Sequence, residues 1–178
     1  MNIKRVERVI AVEFFPFTEL SSADGRGLIQ QAVTARRNSQ APYSHFRVGA
    51  ALRSEAGQTS YYGCNVECAD YLGTHAEEAA ITSMVVSGHK KIAIIAIAAA
   101  HEDEEFDLSC SGLKVPHLDD LSFRDMTPAC GNCLQKIWEN CHGDKTVPIL
   151  SVRPDGLVAR STIGDMLPVA FDLSRVYD

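Results

Sequence analysis

His75-Ala76-Glu77 and, farther along, Cys130-Gly131-Asn132-Cys133 offer one imidazole, two thiols and a carboxylate beside the imidazole. Three N/S ligands of this kind suit Zn²⁺, and three rather than four leave its fourth tetrahedral position open, as in a catalytic rather than a structural site. A carboxylate next to that open position can move protons to and from water there. The chemistry on offer is metal-assisted hydrolysis, with His75, Cys130 and Cys133 as ligands and Glu77 as the proton carrier.

Helix ends would have to hold these groups. Residues i and i+2 lie about 200° apart on a continuing helix, so His75 and Glu77 share a site most easily at a helix start. Thr74 as N-cap would place them in the first turn of a helix over 74–87, with Gly88 just past its end. Cys130 and Cys133 are i and i+3, neighbours on one face of a second helix from near Cys130 to around Asn140. Two helix N-termini aimed at the metal would favour thiolate through their dipoles. Blander readings compete. Thr74-x-x-Glu77 is also a capping box, in which Glu77 only satisfies a backbone N–H. A Cys-x-x-Cys alone suits a redox pair or half a structural zinc site, although no second Cys-x-x-Cys exists here. Cys64, Cys68, Cys110 and Cys141 read as small buried hydrophobes, and His45, His89, His101, His117 and His142 as surface or satisfied core residues.

The remaining pattern is that of an α/β layered domain. Residues 1–20 read as an N-terminal extension with β-like content, and 27–37 as an amphipathic helix. Residues 46–54 and 59–64 read as strands joined by a turn at Glu55-Ala56-Gly57-Gln58. Residues 92–100 are a continuous apolar run, as in a strand buried on both faces. Residues 101–127 read as a surface insertion, 147–152 as a strand and 163–167 as a short helix; the early hairpin implies a mixed sheet. A chain of 178 residues is long enough to bury about 70% of its unfolded surface without disulfides. The net charge of -6 argues against a nucleic-acid backbone as the main partner. No export signal or membrane span is read, and six cysteines without such a signal point to a reducing, cytoplasmic setting.

Beyond the metal pair, three further blocks resemble the cytidine deaminase family. Tyr43-Ser44-His45-Phe46-Arg47-Val48-Gly49-Ala50-Ala51-Leu52 is similar to the strand that lines its pyrimidine pocket. Cys64-Asn65-Val66-Glu67 is similar to its Asn-x-Glu nucleoside-binding segment, and Met166-Leu167-Pro168-Val169-Ala170-Phe171 to its C-terminal signature. The metal pair is itself the established signature of zinc-dependent base deaminases. The resemblance covers roughly residues 25–171. It implies a three-layer α/β/α domain with a mixed central sheet, spanning residues 21–178, and hydrolysis of cytidine or deoxycytidine to the uridine product and ammonia. It further implies zinc on His75, Cys130 and Cys133, with Glu77 carrying the proton. Asn65 and Glu67 would contact the ribose, Phe46 the base, and Phe171 a pocket, often that of a neighbouring subunit. A homo-oligomer, with a tetramer favoured, is implied as well.

The chain also departs from the pattern. Cys68 stands where Asn is frequent, Leu134 where Arg commonly follows the second cysteine, and Pro128 lies one position early. Glu78 stands where three-cysteine members often carry Arg; one imidazole and two thiolates leave Zn²⁺ neutral by count, so a nearby cation is needed less. Cys68 and the insertion favour a same-fold deaminase of another aminated heterocycle, such as a modified cytidine or a nucleoside antibiotic. The metal motif is also compatible with a nucleic-acid-editing deaminase, which the acidic balance disfavours, and with a non-catalytic zinc-stabilised module.

Overall fold

The apolar run after Lys91 becomes an inner strand of the sheet. In the computed structural model, which describes residues 5, 7–57, 59–113 and 121–171, the chain forms β1 (Glu13–Pro16), α1 (Arg26–Arg36), β2 (Phe46–Ser54), β3 (Ser60–Cys64), α2 (Ala76–Val86), β4 (Ile92–His101), α3 (Gly131–Asn140), β5 (Pro148–Val152), β6 (Leu157–Thr162) and α4 (Ile163–Met166). Among the described residues, six strands make one sheet in the order β1-β6-β5-β4-β2-β3. Only β4 and β5 run parallel; the other neighbours are antiparallel, so the sheet is mixed.

Successive side chains of a strand point to opposite faces, and β4 uses both. Ile95, Ile97 and Ala99 pack toward α2 and α3, in a core with Met84, Ile137 and Trp138. Ile94, Ala96 and Ala98 pack toward α1, in a core with Ile29, Ala32 and Leu150. This is why the run lacks polar alternation, and it yields three layers: α1, the sheet, then α2 and α3. Two glycines let the helices lie directly on the sheet. A Cβ on Gly49 would fall 2.0 Å from the Ala32 carbonyl oxygen of α1, and one on Gly63 would fall 2.6 Å from the Ala80 nitrogen of α2.

Some expectations shift. The sequence pattern suggests no strand at Leu157–Thr162, yet β6 pairs β5 through a turn at Pro154-Asp155-Gly156, where Gly156 has φ +87°. Those three residues are the turn signal that would have revealed it. The N-terminal segment contributes β1 to the sheet edge, and Phe17 and Leu20 are buried. Gln58, in the expected turn, and residues 114–120 of the expected insertion lie outside the described residues. The first part of that insertion folds onto the α1 side: Phe106 packs against the α1-side core and lies under the Arg36 guanidinium. Asp107 caps its turn by accepting from the backbone N–H groups and hydroxyls of Ser109 and Ser111, which hold its carboxyl down at about 2.

Candidate active site

α2 and α3 begin side by side, and each starts on a residue whose side chain does not cap its own helix. His75 is the N-cap of α2 and Cys130 the N-cap of α3. The two side chains turn toward each other instead. His75 Nδ1 lies 3.4 Å from Cys130 Sγ and 3.3 Å from Cys133 Sγ, and the three donor atoms all lie within 4.8 Å of one another. Zinc bonds of about 2.0–2.3 Å at tetrahedral angles place neighbouring donors roughly 3.5 Å apart, so the set fits that ion. The donor chemistry agrees. Burial, with the Glu77 carboxylate and Cys130 adding to it, pushes the Cys133 thiol far above its ordinary value; a cation at the sulfurs removes that penalty.

The helix start differs from expectation by one residue. With His75 rather than Thr74 as N-cap, Glu77 is the second helical residue and Glu78 the third. It is therefore Glu78 that reaches back to the His75 N–H, as the third position of a capping box does. Glu78 also meets Lys136 of α3 at 2.7 Å, the main reason its carboxyl sits below the ordinary range. The capping explanation of Glu77 thus falls away. Glu77 is 4% exposed and borders a cleft of about 880 Å³.

That cleft runs from the donor set along the first residue of β2. Phe46, Asn65 and Glu67 all line it, together with His75, Glu77 and Cys130. Phe46 is 41% exposed, so it is not a core residue. A small ladder holds the segment after β3: Val66 bridges Gln40 on one side and Thr74 on the other, next to His75. Asn65 accepts at Oδ1 from the Val48 N–H at 2.7 Å and from the Ser39 hydroxyl, and donates from Nδ2 to the Phe46 carbonyl at 3.0 Å. Glu67 accepts from the Ser44 hydroxyl and from the N–H groups of Tyr43 and Ser44, and these bonds lower its carboxyl, the Ser44 hydroxyl most.

Cys68 corrects an expectation: it is exposed and lines the cleft, not a buried hydrophobe. Cys141 is buried, with its thiol pushed up to about 12, largely by burial. The cleft also takes in Ser44, Asp70, Thr127 and Pro128, to which the sequence pattern assigns no role. Ser44 stands in one of the family-like blocks; Asp70 carries no signal beyond its place four residues after Val66. Phe171 is not among the cleft-lining residues. It is 61% exposed, and its backbone N–H and carbonyl are both held by the Gln135 amide of α3.

A mixed sheet between helical layers, with two helix starts presenting an imidazole and two thiols beside a buried carboxylate, defines a zinc hydrolase of the α/β/α deaminase class. The family model for the cytidine and deoxycytidylate deaminase zinc-binding region matches residues 23–150, and the chain belongs to this family. It is 33% identical over 149 residues to a cytidine deaminase of Sporosarcina psychrophila, covering 83% of this chain and 91% of that one. It is 30% identical to a cytidine deaminase of Halalkalibacterium halodurans, covering 87% and 99%. Among solved structures, the cytidine deaminase of Burkholderia pseudomallei superposes with a TM-score of 0.61 at 31% identity, covering 85% of this chain and all of that one.

Proposed function

We propose that the protein hydrolyses the 4-amino group of cytidine and deoxycytidine, giving uridine or deoxyuridine and ammonia. The observation that carries this reading is Glu77, buried beside the His75, Cys130 and Cys133 donors in the wall of the cleft and free of capping duty. Zinc on those three residues supplies the Lewis acidity that makes water nucleophilic near neutral pH. Glu77 takes the proton that this water gives up and delivers it to ring N3, which makes C4 more electrophilic. Water oxygen bonds to C4; Glu77 then takes the proton left on that oxygen and gives it to the amine, and as the C4=O bond closes the C4–N bond breaks to release ammonia. Phe46 packs against the base, while Asn65 and Glu67 orient the sugar and so raise the effective concentration of the reacting atoms.

The test is ammonia release by zinc-loaded protein from cytidine, deoxycytidine and cytosine, each beside Glu77→Gln. Release from the nucleosides, reduced roughly 10²–10⁴-fold in the variant with zinc content unchanged, is expected. A variant that keeps most of its turnover refutes the role of Glu77. One observation favours a second reading, deamination of a modified pyrimidine nucleoside or nucleoside antibiotic: the exposed thiol of Cys68 in the cleft wall. An inert response to all three substrates would shift the assignment there.

Two wider parts of the reading follow. Phe171 stands outside its own cleft with an exposed ring, which supports a homo-oligomer, a tetramer by family resemblance, in which a neighbour supplies it. A monomeric mass by light scattering at full activity would rule that out. Six unpaired cysteines support a reducing, cytoplasmic setting, which cell fractionation checks; among the described residues no helix is long and apolar enough to cross a membrane.

A further inference from the structure

We propose that Ser39 is a positioning residue that makes the Asn65 amide a pure hydrogen-bond donor toward the sugar; the inference rests on the reading of Asn65 as a sugar contact. An Asn side chain has two acceptor lone pairs on Oδ1 and two N–H donors on Nδ2. Here the backbone fixes which end is which. The Val48 N–H can only donate, so it must meet Oδ1, and the Phe46 carbonyl can only accept, so it must meet Nδ2. The remaining question is the second lone pair on Oδ1. The Ser39 hydroxyl, on a residue only 7% exposed, donates to it. Oδ1 is then fully used, and one Nδ2 hydrogen is the only polar valence Asn65 has left for a ligand in the cleft it lines.

That leftover donor is complementary to its neighbour. Ionised Glu67 can only accept, and its bonds from Ser44 and Tyr43 hold it ionised. A sugar hydroxyl can accept from Asn65 and donate to Glu67 at once, whereas a bound sugar lacking that hydroxyl covers both groups without pairing them, a costly outcome. Ser39 is well placed for this role because its own segment is tied to the sugar-facing one. The Gln40 N–H donates to the Asn65 carbonyl at 3.1 Å, and the Glu67 N–H to the Gln40 carbonyl at 2.8 Å. Ser39 therefore meets Asn65 in a fixed register rather than by a flexible side-chain reach. Without the hydroxyl, Oδ1 keeps an unused lone pair, and the amide is held by one acceptor contact fewer.

The experiment compares kcat/KM for cytidine and 2′,3′-dideoxycytidine in the zinc-loaded wild type, Ser39→Ala and Ser39→Thr. The wild type is expected to prefer cytidine. Ser39→Ala should shrink that preference roughly two- to tenfold, through KM for cytidine rather than kcat, the scale of one neutral hydrogen bond. Ser39→Thr, which keeps the hydroxyl, should restore it. A general packing defect would instead lower both substrates together. An unchanged preference in Ser39→Ala, or equal losses on both substrates, overturns the role of Ser39 alone. A wild type that deaminates both substrates equally well overturns Asn65 as a sugar contact and Ser39 with it.

Discussion

Glu77 and Glu78 are adjacent carboxylates in different surroundings. Glu77 is buried against the donor set, and Glu78 spans from the His75 N–H to Lys136. The second contact joins the first turn of α2 to the middle of α3, the two helices that carry the metal donors. Glu78→Arg would remove the cap and set two cations against each other, a cost of about 1–2 kcal/mol from losing a cap and an exposed pair. We expect that variant to release zinc faster to a competing chelator. Tighter zinc retention would show that the site lacks a cation rather than a clamp, and the charge-count account of the His/Cys/Cys set would fail.

Two elements carry predictions of their own, one beside the site and one on the α1 side of the sheet. The Gly63 position of β3 touches α2 with no room to spare: a Cβ there would lie 2.5 Å from Ala79 Cβ and 2.7 Å from the Ala76 carbonyl oxygen, one residue from His75. Backbone atoms cannot turn aside as a flexible side chain can. Gly63→Ala should therefore cost about 1–3 kcal/mol, visible as a lower melting temperature together with weaker zinc binding; a drop in melting temperature alone would separate α2 packing from the site. The segment after β4 depends on the Asp107 cap. Its carboxyl titrates at about 2 in the fold against an ordinary 3.8. A depressed carboxyl contributes stability that is present above the ordinary value and disappears as pH falls through the folded one. The melting-temperature gap between wild type and Asp107→Ala should thus be widest above about pH 4 and close toward about pH 2. A gap independent of pH would mean that the hydroxyl and N–H contacts matter without the charge.

For the whole molecule, the metal donors are joined to an extensive apolar core, of which Cys133 is itself a buried member. Ala76, Ala80 and Met84 of α2 pack with Ile137 and Trp138 of α3 over β2 and β4, and each fully buried large aliphatic side chain is worth about 1.5–3 kcal/mol. Removing zinc with a chelator should abolish ammonia release while leaving the far-ultraviolet circular dichroism at 25 °C unchanged. Unfolding on chelation would identify a zinc-stabilised module instead. The α1 face has its own core with Phe17, Leu28 and Val158, so the sheet is covered on both sides independently of the site.

What the sequence alone determined is what local geometry controls. The i, i+3 spacing of Cys130 and Cys133, the requirement that His75 and Glu77 sit at a helix start, and the two-faced burial of Ile92–His101 all follow from helix and strand periodicity within a few residues. The family blocks added the cleft-lining Phe46, Asn65 and Glu67. Tertiary structure decided the rest, because each remaining feature depends on groups far apart in the chain. Whether the cap falls on Thr74 or His75 is settled by what His75 meets, namely two sulfurs from α3. Cys68 is exposed because the ladder at Val66 turns the following residues onto the cleft. Leu157–Thr162 is a strand because β5 and β1 lie on either side of it. The second lone pair of the Asn65 amide oxygen is filled by a hydroxyl on Ser39, in the loop after α1, which no periodicity in the sequence brings near it.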